Sequence, residues 1–136
     1  MLERYLAIKV VMMPRDTNPV GTIFGGVLLS YIDQAAHCGA RWTIEQLRGN
    51  APRMVTVAID KVVFKEPVLV GDLVSFWSIC TRIGSTSITL HIEVEAERDS
   101  RIIPVTQADV IYVAVAKQAD GTMKPVPHGL STDSLK

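Results

Sequence analysis

One stretch of helical periodicity sits in a chain that otherwise alternates like strand, and it narrows the possible folds sharply. Leu28, Ile32, Ala35, Ala36, Gly39 and Thr43 recur at a 3.6-residue period, with Ser30, Gln34, Arg41 and Glu45 opposite them. They predict a helix from Gly25 or Gly26 to about Leu47, stopped by Arg48-Gly49-Asn50-Ala51-Pro52. The centre of its apolar face is small: Ala35, Ala36, Gly39 and Ala40. Small side chains admit a neighbouring sheet closely, so the helix should be embraced rather than laid on a surface.

Before it, residues 5–13 alternate as a strand that Pro14 ends, because proline cannot donate to a ladder. After it, strands are predicted over 53–64, 73–83, 86–98 and 102–116. Glu66-Pro67, Val70-Gly71-Asp72, Gly84-Ser85 and Arg98-Asp99-Ser100-Arg101 separate them. In the third of these strands Ile88, Leu90, Ile92, Val94 and Ala96 share one face. A turn follows at Ala119-Asp120-Gly121-Thr122, and the polar tail from Lys124 is expected to fray. Strand, long helix, then four strands is an α+β layout in one domain over residues 1–136. A single helix leaves the other sheet face or an edge to be covered, which predicts a dimer or larger assembly.

Charge narrows the function. Lys+Arg is 14 and Asp+Glu is 14, so no basic field exists to hold nucleic acid. No run approaches the roughly 18 apolar residues that would predict a membrane span, and the first residues lack the apolar core of a secretion signal. Cys38 and Cys80 form no CxxC pair, and no histidine is spaced to complete a metal site. They read as two reduced thiols of a cytoplasmic protein that needs no metal and no cofactor.

Chemistry concentrates where the loop Asp16-Thr17-Asn18-Pro19-Val20-Gly21-Thr22-Ile23-Phe24 meets Gly25-Gly26. The first N–H groups of a helix have no partner within it, and the dipole there favours a negative ligand atom. Asp33 follows about two turns later. By spacing alone Asp33 reads as a solvated helix carboxylate, supported by His37 one turn on. Asn18 reads equally as a turn residue or as an amide that holds a water or a carbonyl oxygen. His91 and His128 have no partner at a useful spacing and read as surface residues.

The loop from Asp16 to Gly26 followed by Asp33 resembles the acyl-CoA thioesterases of the hot-dog fold, in particular the small single-domain bacterial acyl-CoA hydrolases. Val55-Thr56-Val57-Ala58 and Phe64-Lys65-Glu66-Pro67-Val68-Leu69-Val70-Gly71-Asp72 extend the resemblance, which covers about residues 6–126. It implies a sheet curled around the helix, dimers joined edge to edge with sites at their interface, and assemblies of three dimers. It implies hydrolysis of acyl-CoA to free acid and coenzyme A. Asp33 is then the catalytic base or nucleophile, Asn18 an assisting amide, and the Gly26 N–H the donor to the thioester oxygen. Phe24, Gly25 and Thr56 fall on substrate-binding positions. Arg82, Ser85, Thr86 and Ser87, with Lys65, become candidate coenzyme A contacts. One departure is Thr22, where many relatives carry Asp, Asn or His. A dehydratase or hydratase of acyl thioesters using His37 and a non-catalytic acyl-CoA binder are the competing classes.

Overall fold

Residues 2–50 and 53–135 are described in a computed structural model. Strand β1 (Tyr5–Val11) leads through a 3-10 turn (Pro14–Asp16) and a loop to helix α1 (Gly25–Gln46). Strands β2 (Met54–Phe64), β3 (Leu73–Ile83), β4 (Ser87–Arg98), β5 (Arg101–Lys117) and β6 (Met123–Pro125) follow. The antiparallel sheet runs β1-β3-β4-β5-β2, with β6 added to β5. The α+β expectation holds, and α1 contacts β1, β2, β3, β4 and β5.

The helix buries the predicted face, together with Ala40 and Ile44. Opposite it lie Ile88, Leu90, Ile92, Val94 and Ala96 of β4, with Ala108, Val110, Tyr112 and Ala114 of β5. Gly39 shows why small residues are needed: a Cβ there would collide with Ser78 Oγ and lie 2.6 Å from Ser78 Cβ. The helix ends with Arg48 at φ 57° and a bond from Gly49 N to Ile44 O of 2.9 Å. Ala51 and Pro52 of the predicted stop lie outside the described residues.

Four expectations are corrected. β1 ends at Val11, because Met12 turns fully into the core and exchanges backbone bonds with the 71–72 turn, to Asp72 O at 3.0 Å and from Gly71 N at 2.9 Å. The tail does not fray at Lys124. It forms β6, and Leu130 is buried over Gly49. His128 is not a surface residue: fully buried, its Nδ1 accepts from Leu130 N at 3.1 Å and its Nε2 donates to Ser87 O at 2.9 Å. His91 has a partner too, with Nδ1 2.7 Å from Asp109 Oδ1 across the β4–β5 register. Among the described residues no helix is long and apolar enough to cross a membrane.

Candidate active site

The loop before α1 is held by its own polar groups. The Asn18 side-chain Oδ1 accepts from Val20 N at 3.0 Å and Thr22 N at 3.1 Å, and its Nδ2 donates to Thr22 Oγ1 at 2.8 Å. Both ends of the amide are thus engaged within the loop, so in one chain Asn18 acts as a turn residue. Thr22 serves as its acceptor. Ile23 N donates to Val68 O at 2.8 Å and Phe24 N to Asp16 O at 3.0 Å, which aims the chain into the helix. Phe24 O then accepts from Val27 N and Leu28 N.

Among the described residues the Gly25 and Gly26 N–H groups bond to nothing else in the chain. Space beside Gly26 is open, whereas a Cβ on Gly25 would lie 3.2 Å from the Phe64 ring. A cavity of about 370 Å³ opens there, lined by Thr22, Gly25, Leu28, Phe64, Lys65 and Pro67 among others. Gly25 lines this cleft and the space beside Gly26 is open; two unused backbone donors at a helix start suit the oxygen of an uncharged carbonyl that becomes negative on attack.

Asp33 is half-buried and takes its partners from the sheet, not from His37. Thr56 Oγ1 donates to its Oδ1 at 2.5 Å, and the Tyr112 hydroxyl lies 2.8 Å from the same oxygen. The phenol also lies 2.7 Å from the Asp33 carbonyl oxygen. The exposed His37 ring rests against Tyr112, centroids 5.8 Å apart. Burial pushes the Tyr112 phenol far above its usual range; the Thr56 hydroxyl opposes the shift and the Asp33 carboxylate adds to it. The phenol therefore stays protonated and remains a donor.

The remaining candidates do not converge. Arg82 lines a separate cleft of about 480 Å³ with Gly84, Thr132, Asp133 and Leu135. The carbonyls of Ser85, Thr86 and Ser87 beside it are taken by His128 N, Ala114 N and His128 Nε2 respectively. Lys65 instead rims the first cavity and donates to Gln107 Oε1 at 3.2 Å. Phe64, beside Lys65, pairs with Thr106, whereas Arg82 is level with Thr89 and, through it, Ile111. At about 3.4 Å per residue, the two cations of one chain are separated by roughly 17 Å along the strands. Burial raises the Cys80 thiol to about 11, which leaves it unreactive.

Known proteins carry the same framework. Residues 20–103 match the thioesterase superfamily, a span that holds the glycine pair, Asp33 and Thr56. Over 127 residues the chain is 39% identical to the acyl-CoA thioester hydrolase YciA of Salmonella typhimurium, covering 90% of each. The chain belongs to the thioesterase superfamily. Among solved structures, this superfamily member is 46% identical to a hexameric hotdog fold thioesterase of Campylobacter jejuni, with a TM-score of 0.74 and 89% of each chain covered. It is 37% identical to a hexameric thioesterase of Yersinia pestis, with a TM-score of 0.73, covering 96% of this chain and 98% of that one. The fold is the hot-dog fold, as the resemblance implied.

Tyr112 is the site residue that reading the sequence missed. A signal was present: it is the one large polar-tipped residue in the inward run Ala108, Val110, Tyr112, Ala114, and a buried phenol needs a partner.

Proposed function

We propose that this chain hydrolyses acyl-CoA thioesters to the free acid and coenzyme A, and that each active site is built from two copies of it. The observation that carries the reading is the Asp33 carboxylate, one oxygen held by two hydroxyls, on a helix whose first N–H groups are unused. The thioester oxygen sits on the Gly26 N–H. Asp33 takes a proton from a water that adds to the carbonyl carbon, or adds to it directly. Negative charge collects on the oxygen facing the N–H groups, and collapse breaks the C–S bond. On the water route the proton taken by Asp33 passes to the coenzyme A sulfur. On the direct route the thiolate departs from an acyl–Asp33 anhydride that water then hydrolyses to the free acid, giving the carboxylate back. YciA of Salmonella typhimurium, named an acyl-CoA thioester hydrolase, supports the substrate class.

Two copies are needed on geometric grounds. Asp33 lies seven helical steps beyond Gly26, about 10 Å at 1.5 Å per residue. The Asp33 side chain is turned to β2 and β5, not toward the helix start. A carbonyl about 3 Å from the N–H groups is thus out of direct reach of the carboxylate in the same chain. The exposed edge of β2, with Val57 57% and Phe64 51% accessible, offers the surface where a second copy brings its own helix start to Asp33. The hexameric state of the Campylobacter jejuni and Yersinia pestis proteins supports a dimer-based assembly.

Thiol release from a panel of acyl-CoAs tests the chemistry. Asp33→Asn keeps size and an acceptor for both hydroxyls, so folding should survive while turnover falls about 10²- to 10⁴-fold. Wild-type turnover in folded Asp33→Asn protein would end the mechanism, and a fully active monomer at high dilution would end the two-copy site.

A further inference from the structure

We infer that Tyr112 is a positioning residue for this hydrolysis: together with Thr56 it fixes Oδ1 of Asp33 and leaves Oδ2 as the oxygen that acts. The inference rests on the reading of Asp33 as the catalytic carboxylate.

Thr56 and Tyr112 are cross-strand partners in the β2–β5 register, so their hydroxyls rise from one place on one face of the sheet. Both meet the same carboxylate oxygen, at 2.5 Å and 2.8 Å. Rotation of a carboxylate about its last bond is soft, with two broad wells, and two donors on one oxygen remove that freedom. Among the described residues Oδ2 has no hydrogen-bond partner.

The two hydroxyls are not equivalent. Thr56 lies exposed on the edge strand, whereas Tyr112 is buried in β5 with paired strands on both sides. The Tyr112 proton is also shared with the Asp33 backbone carbonyl, 2.7 Å away. One phenol thus sets both the rotation of the carboxylate and the height of its helical turn above the sheet. The protonated state forced by burial keeps it a donor wherever the carboxylate is ionised. Displacements of about 1 Å between reacting groups cost on the order of a hundredfold in rate, so the effect belongs in the turnover number.

Tyr112→Phe fills the same hole and removes only the hydroxyl. It is expected to lower kcat about ten- to a hundredfold with KM within about twofold, since no substrate contact is lost. In the Asp33→Asn background the same substitution should bring no comparable further loss. A purely structural role would lower both backgrounds by one factor. The Asp33 carboxyl carbon resonance should move in Tyr112→Phe with no substrate present. Wild-type kcat in Tyr112→Phe, equal losses in both backgrounds, or an unmoved resonance would each overturn the inference. A moved resonance in a chain that hydrolyses no acyl-CoA would overturn the hydrolase reading instead and leave the cradle standing.

Discussion

The Asp72–Arg98 pair holds the segment that forms one wall of the cavity beside Gly25, and breaking it should be felt in stability. Asp72 is 3% exposed, yet its carboxylate receives Arg98 Nε at 3.0 Å, an Arg98 terminal nitrogen at 2.7 Å and Leu69 N at 2.9 Å. The same Arg98 nitrogen donates to Pro67 O at 2.9 Å. Segment 66–72 is thereby tied to the end of β4, and Val68 O in turn holds Ile23 N at the site loop. Removing one partner of a buried pair costs about 3–5 kcal/mol. The Arg98 side chain is 25% exposed and can regain water, so about 2–3 kcal/mol is the appropriate figure for Asp72→Asn.

The pH dependence carries an independent signature. Burial alone would raise the Asp72 carboxyl, but the Arg98 hydrogen bonds and charge and the Leu69 N–H outweigh it, so the folded value lies below the ordinary one. Such a group contributes its full stability above the unfolded value of about 4 and loses it as pH falls through the lower folded value. Urea unfolding, read by tryptophan fluorescence at one fixed protein concentration, should show wild type losing stability below about pH 4. Asp72→Asn should start 2–3 kcal/mol lower and lack that part of the acid loss. A variant within about 0.5 kcal/mol of wild type at neutral pH, or one with an unchanged acid profile, would refute the argument.

Gly39→Ala should destabilise by about 1–3 kcal/mol through overpacking against β3, despite alanine's better helix propensity. Ser78→Gly should recover most of that in thermal melts, since Ser78 supplies the collision. Ser78→Ala alone should cost little, because the buried Ser78 hydroxyl has no partner among the described residues. As a test of whether the separate Arg82 cleft takes the nucleotide end of coenzyme A, Arg82→Ala should raise KM for acyl-CoA with little change in kcat and leave a short thioester without the nucleotide unaffected; equal impairment of both substrates would exclude that cleft.

Local patterns were legible and long-range ones were not. The helix face from Leu28 to Thr43 and the inward set of β4 are periodic within a few residues, and both appear as expected. The glycine pair and Asp33 stood out because they lie close together in a recognisable order. The partners of Asp33 could not be read, since Thr56 and Tyr112 are 23 and 79 residues away and meet it only when β2 and β5 pair. His91 and Asp109 likewise meet only through the β4–β5 register. The tail misled for a different reason. Its composition is polar, but His128 satisfies both ring nitrogens internally, so burial leaves no unpaired group.

The free edge of β2 has a consequence for the newly made chain. Eleven residues long and bearing exposed Val55, Val57, Val63 and Phe64, it offers unpaired backbone groups to any strand that meets it. A lone protomer therefore stands before two second-order reactions. Pairing with its own copy covers both edges and ends growth, while pairing in a wrong register leaves a sticky end and begins a precipitate. The register shifts at Thr56/Ala58 and Asp60/Val63, with Lys61 at φ 54°, bend this edge and favour a partner bent to match. Because both reactions are second order in protomer, dilution slows them alike, and the soluble fraction should depend on how much faster the matched register forms than a mismatched one.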